Sequence, residues 1–481
     1  MSQKTLFKES FLYAVGNILQ KLGDFVFIPI FTYYLTVEEY GNLSLYLSVI
    51  PLLLLLFQQG TRTGFLRLYY EYEGEKRERL YTTVLLYNII ASGVLILIAY
   101  VFREQFVSII SPWMLFLPTG ILVLLMAFTN NLFQLNVVYF QVKRKAGFYV
   151  LYSSLCFLCR YGLIIGLIVL RKMGLNGYLA GYLGANIVLV FLPNLIYLAK
   201  NKFAFSTRYL LPLLTFSLPV VPHLVSTWVY NLSSRVIVEK YVSTENYAVF
   251  SLGANLAFAF SVIVSSFALA WAPHYMKIAT QSDNAAPLLK KDILAATKIF
   301  SLIFISLLLF SKELVIVAGR KQIYHPAYKI MPFILLGYFF LLLYVLLANS
   351  FYFKKKTFSL SLLSVSIAIF SIFNLLYFSK YHGITGASVA MAINYLVLFL
   401  VTAYFSNRIS PIPVTKGLFV AGGMNVAMMF FFLYLNELIG VGFLSFAVKL
   451  SVFLVLVYAL YRRTISQFLQ VFRARHHRTS S

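Results

Sequence analysis

Apolar runs of about 20 residues recur along the whole chain, separated by short segments rich in Lys, Arg, Gly and Tyr. As helices rising 1.5 Å per residue, such runs are long enough to cross a hydrocarbon core ~30 Å thick. They are continuous rather than alternating, which excludes the strands of a membrane β-barrel. The pattern predicts spans at about 9–35, 41–60, 80–102, 113–140, 148–170, 178–199, 210–238, 246–272, 298–311, 330–352, 358–379, 384–406, 417–436 and 443–461. The expected fold class is therefore an all-α polytopic membrane protein of about 14 transmembrane helices, with both termini on one side. The first run is expected to stay in the mature protein. It is too long for a signal peptide, carries Lys21 and Asp24, and lacks a small-residue cleavage site.

Composition agrees with the pattern: the 481 residues are 60% hydrophobic and only 11% charged, with a mean hydropathy of +0.82. Soluble chains carry roughly 25% charged residues. A net charge of +25 would suit a nucleic-acid partner, but its distribution argues otherwise. Of the 40 Lys and Arg, 27 fall in the N-terminus, every second loop and the C-terminal tail, and nine fall in the alternate loops. Positive residues mark the cytoplasmic side, so both termini are expected to be cytoplasmic, in a multi-pass protein of the inner (cytoplasmic) membrane with no nucleic-acid partner. Cys156 and Cys159, one turn apart in the fifth span, read as ordinary packing.

Three short matches reveal an internal repeat. YLTVEEYG (34–41) returns as YVSTENYA (241–248) at an offset of 207, FQVKRK (140–145) as FYFKKK (351–356) at 211, and RKMGLNG (171–177) as KYHGITG (380–386) at 209. Helices one to six thus correspond to seven to twelve in the same orientation, and two helices are appended. The expected units are a six-helix bundle at 1–208, a second at 209–416, helices 13 and 14 at 417–461, and a basic cytoplasmic tail at 462–481. Two facing bundles enclose a central cavity, as in alternating-access transporters.

Charges inside spans are expensive and usually face protein or a water-filled path. In NILQKLGDF (17–25), Asn17, Gln20, Lys21 and Asp24 form a stripe on one helix face. Lys21 and Asp24 either line the cavity or neutralise each other as a buried pair. Arg160 lies near mid-span. Arg235 lies near the outer end of the seventh span, where it lines the cavity or snorkels. Lys449 is expected to snorkel or pair locally. If Lys21, Arg160 and Arg235 face one cavity against Asp24, that cavity is positive and suits an anion, ideally phosphate. Pro219 and Pro222 free backbone carbonyls and permit a hinge. His223 and His274, with Asp24, are candidates for proton coupling, the alternative for each histidine being an ordinary packed side chain. No nucleotide-binding sequence, HExxH, GxSxG or cluster of metal ligands occurs. The chain therefore reads as a transporter and not an enzyme, without cofactor, driven by an H+ or Na+ gradient, the membrane potential or consumption of product.

FIPIFTYYLTVEEYGNLSLY, GTRTGFLRLYYEY, TFSLPVVPHLVSTWVYNLSSRVIVEKYVSTENYAVFSLG and YHGITGASVAMAINY, set in this frame of spans and repeats, resemble the polysaccharide flippases. These are the Wzx-like O-antigen and capsule transporters of the multidrug/oligosaccharidyl-lipid/polysaccharide (MOP) exporter superfamily. The resemblance covers essentially the whole chain. It implies a V-shaped pair of bundles with a cationic lumen, to which Lys21, Arg160 and Arg235 would contribute. The implied substrate is a polyprenyl (undecaprenyl)-pyrophosphate-linked oligosaccharide moved from the cytoplasmic to the outer leaflet. Membrane lipids, a polysaccharide polymerase and chain-length machinery are the implied partners. The alternatives are a lipid II flippase and, less favoured by an interior with one deep acid, a MATE-type multidrug exporter.

Overall fold

The computed structural model describes residues 25–110, 116–143, 145–201, 203–281, 285–354, 356–409, 416–440 and 445–453. The structure is all-helical, with 91% helix and no strand among the described residues. The first part of the chain forms α1 (Ile28–Tyr34), α2 (Val37–Gln58), α3 (Thr61–Leu68), α4 (Glu75–Val101), α5 (Arg103–Ile110), α6 (Ile121–Val142), α7 (Ala146–Ile165), α8 (Gly174–Asn186) and α9 (Leu192–Lys200). Next come α10 (Thr207–Ser217), α11 (Val221–Glu239), α12 (Thr244–Gln281) and α13 (Ala285–Leu309). The last are α14 (Ser311–Ala318), α15 (Ala327–Phe353), α16 (Thr357–Ile409) and α17 (Lys416–Leu438).

Ten helices among the described residues are long and apolar enough to cross a membrane. The other expected spans are accounted for individually. The first lies mostly, and the last largely, outside the described residues. The eleventh and twelfth run together as α16, whose 53 residues are interrupted by non-helical backbone at Gly383. The seventh is divided by a 3-10 turn, Leu218–Val220, into α10 and α11. Proline explains that division. Pro219 brings no N–H to the helical ladder, and Pro222 stands in the first turn of α11, where a missing donor is tolerated.

Two pairs of positions equivalent in the expected repeat share backbone detail. Thr36 opens α2 with a capping box: its Oγ1 accepts from Glu39 N at 3.1 Å, and Glu39 Oε2 accepts from Thr36 N at 2.8 Å. At the equivalent register Ser243 Oγ accepts from Asn246 N at 3.3 Å. Gly174 and Gly383, also equivalent, have φ of +55° and +56°. At Gly174 a side chain is also barred by space, since a Cβ would lie 2.0 Å from Glu39 Oε1, which accepts from Leu175 N at 3.0 Å. Glu39 therefore ties the start of α2 to the start of α8. Thr36→Ala is expected to lower stability by about 1 kcal/mol, and Ser243→Ala by less, because no side chain at Asn246 returns the bond. Thermal unfolding of the two purified variants would show equal losses if the boxes were equivalent.

Two apolar clusters hold the helices together. The larger runs from α1 and α2 through α12, α13, α15 and α16. The smaller joins Phe65, Tyr81, Leu132, Tyr149 and Leu198 to Tyr209 and Leu213 of α10. The seventh expected span is therefore shared: α10 packs on α3 and α4, whereas α11 packs on α16 and α2. Polar residues thread the interior as bonded networks. Asn131 Nδ2 donates to Asn88 Oδ1 at 3.1 Å and Ser92 Oγ at 3.2 Å, and Asn88 Nδ2 to Thr61 Oγ1 at 3.0 Å. Away from water, each such bond avoids the penalty of an unpaired buried group.

Candidate functional site

A cavity of about 210 Å³ opens between α1–α2 on one side and α11–α12 on the other. Most of its wall is apolar, including Phe25, Phe31, Leu43, Leu47 and Phe258. Its polar edge is built by Tyr40 and Ser44 of α2, Arg235 of α11 and Asn255 of α12. The successive positions Tyr40 and Ser44 share one face of α2 because they are four residues apart. Asn255 Nδ2 bridges the two sides, donating to Tyr40 Oη at 3.1 Å and Ser44 Oγ at 3.4 Å. Below them Trp228 Nε1 donates to the Ser48 carbonyl at 3.0 Å, beside Pro51, which supplies no donor of its own to α2.

Arg235 is 6% exposed. The Tyr40, Tyr247 and Tyr338 hydroxyls lie within its electrostatic reach. Glu239, also buried, stands one helical turn away. Yet no ion pair or hydrogen bond joins the Arg235 guanidinium to another described residue. A guanidinium carries a fixed positive charge and donors in a planar fork, a geometry that matches an oxyanion.

The end of the cavity that the charge pattern assigns to the outer side is closed by contacts of α1 and α2 with α12, α14 and the segment that follows α14. Thr32 Oγ1 donates to the Ala318 carbonyl at 2.5 Å, and Lys321 Nζ donates to the Leu35 carbonyl. The Tyr40 and Tyr324 rings meet edge to face at 5.5 Å, and Gly41 lies against Tyr247 and Ala248.

Arg160 lies apart from the residues that line this cavity. Its Nη2 donates to Asn186 Oδ1 at 2.9 Å, and its guanidinium lies over the Tyr182 ring at 4.4 Å and the Phe133 ring at 5.5 Å. Asn186 is the last residue of α8 before a π-helical turn, Ile187–Phe191, and donates onward to Thr129 Oγ1 at 3.1 Å. His274 Nε2 lies 2.9 Å from Asp292 Oδ2, linking α12 to α13 with both side chains partly exposed. Pro219 sits in the turn between α10 and α11, and Pro222 at the start of α11; His223 follows, its side chain outside the description. Asn17, Gln20, Lys21 and Asp24 lie outside the described residues. Lys449 is fully buried against Glu313.

Charge in an apolar run points to Arg235 but not to the neutral half of the site, Tyr40, Ser44 and Asn255. Their signal is a small polar residue inside an apolar run: Asn88, Asn131, Asn136, Asn186 and Asn255 all carry it, and all are hydrogen-bonded.

The family model described as "Polysaccharide biosynthesis protein" matches residues 6–279. A curated relative, "Lsg locus putative protein 1" of Haemophilus influenzae, is 22% identical over 303 residues, covering 60% of this chain and 70% of its own. Among solved structures, "Lipid II flippase MurJ, inward closed conformation" has a TM-score of 0.73 at 17% identity, covering 95% of this chain and 100% of that one. An inward-facing multidrug resistance MATE family transporter of the MOP superfamily has a TM-score of 0.66 at 14% identity, covering 82% and 96%. The fold is thus shared with flippases and multidrug transporters alike.

Proposed function

The chain belongs to the polysaccharide biosynthesis protein family, and from that membership and the chemistry of the cavity we propose that it flips a polyprenyl (undecaprenyl)-pyrophosphate-linked oligosaccharide outward across the inner membrane. The observation that carries this reading is Arg235, buried on the cavity wall and joined by no ion pair to a described residue, while Glu239, one turn along the helix, lies outside the cavity lining. A glycan head bears many hydroxyls and is excluded from hydrocarbon, while a polyprenyl tail is at home there. The head enters the cavity with its pyrophosphate on Arg235, and the tail stays between the two groups of helices. Lys21, expected from the sequence to share a helix face with Asn17, Gln20 and Asp24, would add positive potential along the path, as would Arg160. Contacts such as Thr32 to Ala318 hold the outer end shut until the head is bound. Pro219 and Pro222 let the seventh span bend as the halves exchange orientation.

An inside-negative potential favours outward movement of each negative charge by ~2.3 kcal/mol per 100 mV. Proton coupling through Asp24, His223 or His274, or sodium coupling, would add to it. The product would feed a polysaccharide polymerase and its chain-length machinery in O-antigen, capsule or exopolysaccharide synthesis. A lipid II substrate is the second reading, favoured by the likeness of fold to that flippase. An organic-cation substrate fits less well, since no described carboxylate lines the cavity beside Arg235.

Arg235→Ala is expected to slow translocation ~10–100-fold, the worth of a charge-assisted hydrogen bond of about 1.5–3 kcal/mol. Arg235→Lys should retain part of the rate. The check is accumulation of lipid-linked glycan on the cytoplasmic leaflet at matched protein levels; wild-type transport by Arg235→Ala would refute the proposal. Identification of the accumulating glycan as lipid II would select the second reading.

A further inference from the structure

Resting on the anion reading of Arg235, we infer that Asn255, held by Tyr40 and Ser44, reads a hydrogen-bond donor on the sugar that bears the phosphate, so that the cavity selects glycosyl phosphates over other phosphate esters. The inference starts from how the amide is committed. As the amide is placed, its nitrogen faces Tyr40 Oη at 3.1 Å and Ser44 Oγ at 3.4 Å across the cavity and donates to them. The carbonyl oxygen Oδ1 makes no hydrogen bond to another described residue, and Asn255 lines the cavity. With a guanidinium on the same wall, the negative end of the amide dipole is favoured in that direction.

The wall therefore presents two unlike groups side by side. Arg235 supplies donors and positive charge; Asn255 Oδ1 supplies an acceptor that a fully ionised phosphate cannot use. A ligand that satisfies both carries an oxyanion with a hydroxyl or amide N–H close by. A sugar phosphorylated at its anomeric carbon has that arrangement, through the substituent on the adjacent carbon. Phe258 and Phe25, stacked at 6.2 Å between centroids, furnish an apolar surface for the ring. Methyl phosphate would satisfy Arg235 alone, and free glucose would lack the charge. A site with a committed acceptor disfavours ligands that leave it unpaired.

The test is direct binding of small probes to the full-length protein in nanodiscs, by calorimetry. Glucose 1-phosphate should bind the wild type about tenfold or more tightly than methyl phosphate, a factor equal to one net hydrogen bond. Asn255→Leu should erase that preference while leaving methyl phosphate affinity unchanged, with thermal unfolding used to confirm that the protein is folded. Asn255→Asp keeps the acceptor but adds a negative charge beside Arg235, so it should weaken both phosphates. A preference unchanged in Asn255→Leu, or absent from the wild type, would overturn the role of Asn255 while leaving the anion site intact. Equal binding of both phosphates by the wild type and by Arg235→Ala would overturn the anion reading itself. If Asn255→Leu does not fold, Asn255→Ser serves in its place, with the same loss of preference expected.

Discussion

Lys449→Ala is expected to destabilise the purified protein by about 3–5 kcal/mol, the range for breaking one partner out of a buried ion pair. Lys449 is fully buried and Glu313 only 15% exposed, at 2.7 Å, with a second contact of 2.9 Å to the other carboxylate oxygen. The ammonium also donates to Asn436 Oδ1 at 2.6 Å. Asn436 Nδ2 in turn donates to the Leu308 carbonyl and Ser311 Oγ, while Lys312 Nζ reaches the Asn436 carbonyl. Removing Lys449 strands the Glu313 carboxylate and unfastens residues 445–453 from α14 and α17. Most of the cost arises from the charge left behind, not from the bond lost. Replacing both partners by apolar residues, Lys449→Met with Glu313→Leu, should therefore recover most of the stability. Thermal unfolding in detergent distinguishes the cases, and an unshifted midpoint for Lys449→Ala alone would show that the pair does not bear on stability.

Gly60→Val should cost about 2–6 kcal/mol, combining left-handed backbone strain with overpacking. Gly60 has φ of +74°, and a Cβ there would lie 2.5 Å from the Ser217 carbonyl oxygen. The obstacle is backbone and has no alternative rotamer. Gly64, one turn on, is as tight, since a Cβ would meet Ser217 Oγ at 2.3 Å. These two glycines let α3 ride directly on the end of α10, beside the turn at Leu218–Val220. Gly93→Ala is the control: nothing lies within 4 Å of a Cβ there, and alanine suits the interior of α4. A Gly60→Val protein as stable as Gly93→Ala would mean that α3 and α10 can part without penalty.

Hydropathy made the all-helical membrane architecture legible because lipid allows few other solutions, and the repeat was legible because capping and left-handed positions tolerate few residues. TVEE and STEN announced the same helix start, and the matched glycines of MGLNG and HGITG announced the same backbone turn. What escaped was three-dimensional adjacency. Arg235 and Arg160 look alike in sequence, each a lone cation in a greasy helix, but one lines the cavity and the other rests on Asn186 and Tyr182. Hydropathy records how costly a group is in lipid, not which partner meets it. Glu313 illustrates the same point from the other side: it sits near a span end, where an acid ordinarily meets water, but residues brought in from more than 100 positions away bury it.

The seventh span opens the expected second repeat in sequence, but its first three turns complete the smaller core, where Tyr209 and Leu213 join the cluster that holds Phe65 and Tyr81. In the vocabulary of assembly this is a segment swap made permanent by the chain itself. The smaller cluster therefore closes only with residues that follow the sixth expected span, so its completion calls for chain as far as α10.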